Sequence, residues 1–160
     1  MKRALLIATL VAAAGAGCVT ASRAASATVP SCPRHAPKPV SQGLTTKKFV
    51  RPDAIALRLC RYFGINWGDS QGLRDQRLIH SGLTIRSITH TFNRLKDPPR
   101  GIFCMKDDAS ELLVVFGYPN ASAGRVTVKL TGCSFTMNGR STRWSTPHLQ
   151  HHLVNLIKNA

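Results

Sequence analysis

The sequence predicts an α+β domain in which an antiparallel sheet of about five to six strands is packed by two helices and held by two disulfides. Three observations predict this fold. Several short segments alternate apolar and polar residues with period 2, as strands do, and turn residues separate them. Two other segments place apolar residues at helical spacing. Four cysteines follow an N-terminal segment that has the pattern of an export signal.

Strand patterns occur in six segments. Residues 111–118 are apolar on both faces, which is typical of a central strand, and residues 125–131 alternate cleanly as its hairpin partner. Asn138 and Gly139 form the strongest short hairpin signal in the chain. The predicted strands are residues 54–62, 75–80, 111–118, 125–131, 134–137 and 140–144.

Helical spacing occurs twice. The first helix is predicted to begin near Ser81 and to be stopped by Pro98 and Pro99, and the second begins at Thr146 and Pro147. Each presents one apolar stripe to the sheet. The stripe residues are Ile85, Ile88, Phe92 and Leu95 in the first helix, and Leu149, Leu153, Leu156 and Ile157 in the second.

The first residues have the pattern of a signal peptide. Met1, Lys2 and Arg3 precede an uncharged segment, residues 4–17, in which Ala, Leu, Ile and Val dominate. This apolar segment is shorter than the roughly 20 residues that a stable membrane-spanning helix needs. We therefore expect the chain to be exported.

Two cleavage sites are compatible with the end of this signal. Residues 15–18, with the sequence GAGC, resemble a bacterial lipobox; cleavage would then remove residues 1–17, and Cys18 would be acylated as a membrane anchor. Residues 25–27, with the sequence ASA, form an ordinary small-x-small site, and cleavage after residue 27 would release a soluble protein. The domain is expected on the outer face of the cytoplasmic membrane in the first case and to be secreted in the second.

The cysteines indicate disulfides. Cys18 is either acylated or removed, and the four that remain allow three connectivities. Cys104 precedes the predicted central strand and Cys133 ends its neighbour, so these two should pair and leave Cys60 for Cys32. A Cys104–Cys133 bridge would stabilise the fold by about 3 to 4 kcal/mol. The chain has no C-x-x-C spacing, which disfavours a redox or metal role.

The mature chain is strongly basic. Prolines and small polar residues dominate residues 28–52, which we interpret as an extended tether to a domain over residues 53–160. Removing residues 1–27 takes away three basic residues and leaves 19 basic against 7 acidic side chains. Aromatic residues are only 6% of the chain, too few for a typical nucleic-acid surface. The expected partners are therefore an anionic cell-wall polymer or a membrane surface.

Metal and catalytic sites are not predicted. His148 and His152 lie four apart on the last helix, but no third ligand is near in sequence. Asp107 and Asp108, which precede Ser110 and Glu111, are interpreted as a solvated turn before the central strand rather than a calcium loop or a catalytic pair. Residues 68–72, GDSQG, have the Gly-x-Ser-x-Gly spacing but fall in the predicted loop between the first two strands, so no nucleophile elbow is predicted. We expect no cofactor, and a hydrolase would need a site that these patterns do not locate.

Several short motifs resemble a group of actinobacterial exported proteins and lipoproteins that have no assigned function. The resemblance covers about residues 30–160 and implies an envelope location without implying an activity. The motifs are LRLCRY at 57–62, FNRL at 92–95, C-x-x-D-D at 104–108, Gly132 with Cys133, and Asn138 with Gly139.

The second half of the chain is also similar to the subtilisin-inhibitor family of secreted bacterial proteins. The similarity runs from the helix at 85–95 through Cys104 and the two central strands to Gly139. In that family the first cysteine of this bridge braces a protease-binding loop. The resemblance implies that Lys106 enters a trypsin-like specificity pocket, with Met105 before it and Asp107 after the scissile bond.

These patterns favour one function over two alternatives. We expect a non-enzymatic envelope protein that binds a partner or a surface polymer through its basic faces. The alternatives are an inhibitor of an extracellular protease and a hydrolase.

Overall fold

The computed structural model describes residues 28–38, 48–65, 72–104, 106–119, 121–139 and 141–159. These residues form one antiparallel sheet of six strands, in the order β2-β1-β3-β4-β5-β6, and two helices. The predicted α+β fold is therefore confirmed. The predicted signal segment, with Cys18, lies outside the described residues. The elements are β1 (Ala56–Tyr62), β2 (Leu73–Ile79), α1 (Gly82–Asn93), β3 (Glu111–Tyr118), β4 (Ala121–Lys129), β5 (Phe135–Met137), β6 (Thr142–Trp144) and α2 (Pro147–Lys158).

β3 is the central strand of the buried sheet. All eight of its residues are buried, as its continuous apolar sequence predicted. On one face, Leu57 of β1, Val114 of β3 and Val128 of β4 join the side chains of both helices in the main core. Cys60 and Leu113 point to the opposite face, where a smaller buried cluster forms. Both faces of the sheet are therefore covered.

Residues 28–38 cover the face of the sheet that the helices leave open. Cys32 is bonded to Cys60 of β1, with a Cα–Cα distance of 5.7 Å. The hydroxyl of Tyr62 donates to the carbonyl oxygen of Pro33 over 3.1 Å, and the backbone of His35 pairs with that of Gly72. The proline-rich segment is thus pinned to the sheet by Cys32, as the sequence predicted, and it also buries apolar side chains.

A second part of the proline-rich segment contributes to the main core. Phe49 and Val50 are buried, and the ring of Phe49 stacks on that of Phe92 with centroids 6.4 Å apart. The side-chain amide of Asn93 pairs with both backbone groups of Val50, at 3.0 and 2.9 Å, and Asn138 donates to the carbonyl oxygen of Phe49 at 2.8 Å. The side-chain amides of Asn93 and Asn138 thus satisfy three backbone groups of this irregular segment where it lies against the core. This packing was not predicted from the sequence.

Both helices begin where their capping residues predicted. The side chains of Ser81 and Thr146 accept hydrogen bonds from the first turns of α1 and α2. α1 ends at Asn93, however, earlier than its predicted stop at the two prolines. The amides of Arg94 and Leu95 bond three residues back, at 3.1 and 3.3 Å, which tightens the last turn and ends the helix. Leu95 still packs against the core.

β4 begins at Ala121, four residues before its predicted start. The loop between β3 and β4 is therefore shorter than the sequence indicated. A register shift places Phe116 opposite Gly124 and Tyr118 opposite Ala121. A Cβ atom at position 124 would lie 3.0 Å from the Tyr118 ring. Glycine thus makes room for this ring, and the irregular pairing hides the alternation that would have predicted the earlier start.

Candidate functional site

The cysteine pairs agree with the prediction. Cys32 is bonded to Cys60, and Cys104 is bonded to Cys133 with a Cα–Cα distance of 4.7 Å. The first bridge attaches the N-terminal segment to β1. The second joins the loop before β3 to the loop after β4, so that both flanks of the central hairpin are held together.

The loop that the Cys104–Cys133 bridge braces carries the predicted protease contacts. Met105 lies outside the described residues, and Lys106 is exposed. Lys106 forms no hydrogen bond or ion pair with another described residue. The side chain of Phe103, on the other side of the bridge, is fully exposed. Asp107 is held within its own loop by the Ala109 amide, which donates to its carboxylate at 2.8 Å, and across to the loop after β4 by the Thr131 hydroxyl at 2.9 Å.

Asp107 and Asp108 converge on one hydroxyl. The side chain of Thr131 contacts both carboxylates, and Ala109 between this pair and β3 adopts a left-handed φ of 62°. The Thr131 hydroxyl, ahead of the Ser110 amide and hydroxyl, holds the pKa of Asp108 below its usual range. Specific hydrogen bonds therefore order this turn before β3.

Glu111 lies in the central strand, as predicted, and not in the turn. It is the first residue of β3, its side chain is only 8% exposed, and its carboxylate lies 2.8 Å from the Nζ atom of Lys129 on β4. The pairing of Glu111 with Lys129 in the strand register explains why the two charges meet.

The histidines of α2 do not form a metal site in the described part of the chain. His148, His151 and His152 are exposed. Among the described residues no group of three His, Cys, Asp or Glu side chains could hold a metal ion. No described histidine is paired with a carboxylate either, so the arrangement that would indicate a catalytic base is not found in these segments.

One basic cleft lies between α1 and residues 48–52, and we name it the α1 cleft. Its volume is about 450 Å³. Arg86, Thr89 and Asn93 are three or four residues apart on α1, which puts them on the side of the helix that faces the cleft. No carboxylate is among the described residues that line it. The lining residues are Lys48, Phe49, Pro52, Arg86, Thr89, His90, Asn93, Leu95 and Arg143.

Thr89, one of the residues that line the α1 cleft, has an unusual hydroxyl. Thr89 is only 3% exposed, and its hydroxyl has no hydrogen-bond partner among the described residues. Thr91 on the same helix donates its hydroxyl to the carbonyl oxygen of Ser87 at 2.9 Å. Thr89 forms no such bond, so its buried hydroxyl is left without a partner among the described residues.

A second basic cleft lies beside α2, and we name it the α2 cleft. Its volume is about 540 Å³. Two contacts fix α2 over the sheet: Gln150 donates to the carbonyl oxygen of Lys129 at 2.7 Å, and Arg77 of β2 donates to the carbonyl oxygens of Leu156 and Asn159. The lining residues are Arg61, Arg74, Asp108, Ser110, Leu130, Thr131, Gln150, His151, Val154, Asn155 and Lys158.

Arg61 is the central cation of the α2 cleft. Its Nη1 atom is buried without a hydrogen bond and lies 4.0 Å from the nearest carboxylate oxygen, on Asp75. Asp75 is closer to Arg74, at 3.3 Å. Burial, and then repulsion by Arg74, lowers the pKa of Arg61. One signal in the sequence could have identified Arg61. It shares the inward face of its strand with Leu57 and Leu59, where the period-2 pattern calls for an apolar side chain.

Ser110, Asp108 and His151 meet in the α2 cleft, but they are not arranged as a catalytic triad. The carboxylate of Asp108 accepts from the Ser110 amide at 2.8 Å and contacts the Thr131 hydroxyl. His151 forms no hydrogen bond with either residue in the described segments. Among the described residues Ser110 is thus bonded to Asp108 and not to a histidine, so the serine–histidine–acid arrangement of a nucleophilic triad is not formed there.

The acidic side chains in the described residues all have partners within the fold. The described residues contain six carboxylates. Four form ion pairs with arginine or lysine, and the other two, Asp107 and Asp108, share the single O–H donor of Thr131 and accept backbone amides of their own turn. The described residues therefore contain many more basic side chains than carboxylates.

Comparisons with known proteins add no relative. No helix in the described residues is long and apolar enough to cross a membrane. The chain matches no family model, no curated protein and no solved structure.

Proposed function

We propose that this protein is an exported, non-enzymatic binding module of the cell envelope that holds an anionic polymer through its basic surface. The observation that carries this proposal is that all six described carboxylates form ion pairs or hydrogen bonds within the fold. Basic side chains outnumber acidic ones, so the domain carries a net positive charge that attracts an external anion. Export, by either predicted cleavage, would place the domain among the acidic polymers and lipids of the envelope.

The α2 cleft is the point at which such a polymer would be held most strongly. Arg61, Arg74 and Lys158 line it together. The buried Nη1 atom of Arg61 has given up water without gaining a hydrogen bond, which destabilises the unliganded protein. A phosphate or carboxylate oxygen that reached Arg61 would restore that bond, and charge-assisted bonds of this kind are about twice as strong as neutral ones.

The test is retention on purified anionic wall polymer at increasing salt. The exported protein should bind at low ionic strength and be released as salt screens its charges. An Arg61→Gln/Arg74→Gln variant should bind about tenfold more weakly, the effect of losing one charged hydrogen bond. The control is Arg94→Gln/Arg100→Gln, which removes the same charge from exposed positions outside both clefts.

Three results would count against this proposal. Equal losses in the two double variants would assign binding to net charge and not to the cleft. Failure of the unaltered protein to bind at low salt, or retention that salt does not weaken, would remove the electrostatic function altogether.

A second candidate is inhibition of a trypsin-like protease through Lys106. The observation that favours it is an exposed Lys106 on a loop that a disulfide and the Asp107–Thr131 hydrogen bond both brace. A rigid, exposed loop loses little conformational entropy on binding. Excess protein should then abolish trypsin activity, and Lys106→Ala should relieve the inhibition. Unchanged trypsin activity at excess protein would end this proposal.

A further inference from the structure

We propose that the α1 cleft is a separate binding site for a small soluble organic phosphate that has an apolar body. This goes beyond polymer binding, because the α1 and α2 clefts share no lining residue. Three properties of the α1 cleft carry the proposal: cations at its rim, a buried hydroxyl at its base and an apolar wall.

The cations at the rim include Arg86 and Arg143. The Nε atom of Arg86 donates to the carbonyl oxygen of Gly82 at 3.2 Å, which orients the guanidinium. Its two terminal nitrogens form no hydrogen bond with a described residue. Arg143 is paired with Asp97, whose side chain is 80% exposed. A guanidinium presents parallel N–H groups that match two phosphate oxygens, so Arg86 is ready to bind one.

The hydroxyl of Thr89 supplies the polar contact at the base. It is buried and without a partner in the described residues, and Thr89 lines the α1 cleft. An unpaired buried hydroxyl destabilises the protein that contains it. A ligand oxygen at the base of the cleft would accept its hydrogen and remove that penalty.

The apolar wall is built before any ligand arrives. Phe49, Pro52 and Leu95 line the cleft, and Phe49 is held by its stacking on Phe92. The double hydrogen bond from Asn93 to the backbone of residue 50 fixes this wall against α1. A preformed cleft of about 450 Å³ with an apolar wall and a few polar groups has the usual properties of a small-molecule site. Inorganic phosphate alone would leave the apolar wall uncovered.

The experiment is calorimetric titration of the exported protein, with its disulfides formed, against three probes. Phenyl phosphate carries both the anion and the apolar body, whereas inorganic phosphate and phenol each carry one. We expect phenyl phosphate to bind at least about tenfold more tightly than inorganic phosphate, as burial of an apolar ring predicts. Phenol should not bind measurably.

Variants of Thr89 separate a ligand contact from a structural role. Thr89→Val removes the hydroxyl at nearly constant volume. It should weaken phenyl phosphate binding by about fivefold, the effect of one neutral hydrogen bond, and raise the melting temperature of the unliganded protein. Thr89→Ser keeps the hydroxyl and should retain the affinity. Arg86→Gln should weaken binding by about tenfold.

Four results would overturn the site. In the first, the unaltered protein does not bind phenyl phosphate. In the second, Thr89→Val binds it as tightly as the unaltered protein does, which would mean that water alone satisfies the hydroxyl. In the third, Arg61→Gln/Arg74→Gln abolishes this binding, which would move the ligand to the α2 cleft. In the fourth, binding occurs only to vesicles that contain phosphatidic acid, which would replace the soluble ligand by a lipid head group. The third result leaves polymer binding intact, so the two proposals can fail separately.

Discussion

Tyr62 donates its hydroxyl to the carbonyl oxygen of Pro33 over 3.1 Å, on the face of the sheet opposite the helices. Pro33 follows Cys32, which is bonded to Cys60 two positions before Tyr62 on β1. One strand therefore holds the N-terminal segment by a covalent bond and a hydrogen bond on the same face. Without this segment, the smaller cluster around Cys60 would be open to water.

The burial of the two tyrosines should be measurable through the ionisation of their hydroxyls. The chain has two tyrosines, and burial raises the pKa of both Tyr62 and Tyr118 to about 12. An absorbance titration of the folded protein should therefore detect almost no tyrosinate at pH 10, where an exposed tyrosine is half ionised. Tyr118→Phe should halve the amplitude at higher pH. A phenol that titrates near pH 10 in the folded state would contradict this prediction.

The same shifts predict a loss of stability at high pH. The folded state holds its phenol protons more tightly than the unfolded chain, so the stabilisation is complete below pH 10. It should decline between pH 10 and 12, by at most about 1.4 kcal/mol per pH unit for each tyrosine. Urea unfolding at pH 9, 10 and 11 measures the slope. A constant midpoint over this range would contradict the prediction.

Removal of the first disulfide should release the N-terminal segment. The bridge spans a sequence separation of 28 residues, and a loop of this length corresponds to about 3 to 4 kcal/mol in the chain-entropy account. Cys32→Ala/Cys60→Ala should therefore lower the free energy of unfolding by about this amount and expose residues 28–38 to proteolysis. Tyr62→Phe, which removes only the hydrogen bond, should lower it by about 1 kcal/mol.

Comparison of the double cysteine variant with Tyr62→Phe separates the contribution of the disulfide from that of the hydrogen bond. If Tyr62→Phe proves as destabilising as the loss of the bridge, the hydrogen bond and not the disulfide holds the segment. If proteolysis leaves residues 28–38 intact in the double variant, the packing of Val29 and Ala36 on the sheet suffices by itself.

Two glycines with the same backbone conformation should respond differently to alanine. Gly132 has a φ of +66° and Gly101 a φ of +68°, so both substitutions carry the left-handed penalty of about 1 to 2 kcal/mol. A Cβ atom at position 132 would also lie 2.7 Å from the Cβ atom of Asp107, whereas position 101 is open. Gly132→Ala should therefore be at least about 1 kcal/mol more destabilising in urea unfolding. Equal destabilisation by the two substitutions would show that the loop around Asp107 moves to accommodate the added methyl group without strain.

The hydroxyl of Thr131 should set the acid response of the loop before β3. Because it holds the pKa of Asp108 low, the folded state binds this proton less tightly than the unfolded chain. The resulting stabilisation is present at neutral pH, above the unfolded value, and is lost as pH falls through the folded pKa. Thr131→Val should raise the pKa of Asp108 in an NMR titration and lower stability at pH 7 by about 1 kcal/mol.

The control for this prediction is Thr142→Val, at an exposed position on β6. It should leave the pKa of Asp108 and the acid midpoint unchanged. An unchanged pKa in the Thr131 variant would assign the shift to the Ser110 amide instead.

Local patterns predicted best the strand in which both faces are buried and the starts of the two helices. The strand at 111–118 agrees with β3 at both ends because both faces are buried, and capping by Ser81 and Thr146 located the starts of both helices. Prediction was poorer where a distant partner decides the conformation. The start of β4 depends on how Tyr118 packs over Gly124, and the burial of residues 49 and 50 depends on Asn93 and Asn138.

The class of fold, the order of its elements and the pairing of the four cysteines could be derived from the chain alone, because periodicity and capping act over a few residues and the strand order leaves one pairing favoured. The two clefts could not. The α2 cleft joins Arg61, Arg74 and Lys158 from three elements, and the α1 cleft joins Thr89 to Phe49. Which polar groups remain without a partner depends on every neighbour that the folded chain brings close, and that is settled only by tertiary packing.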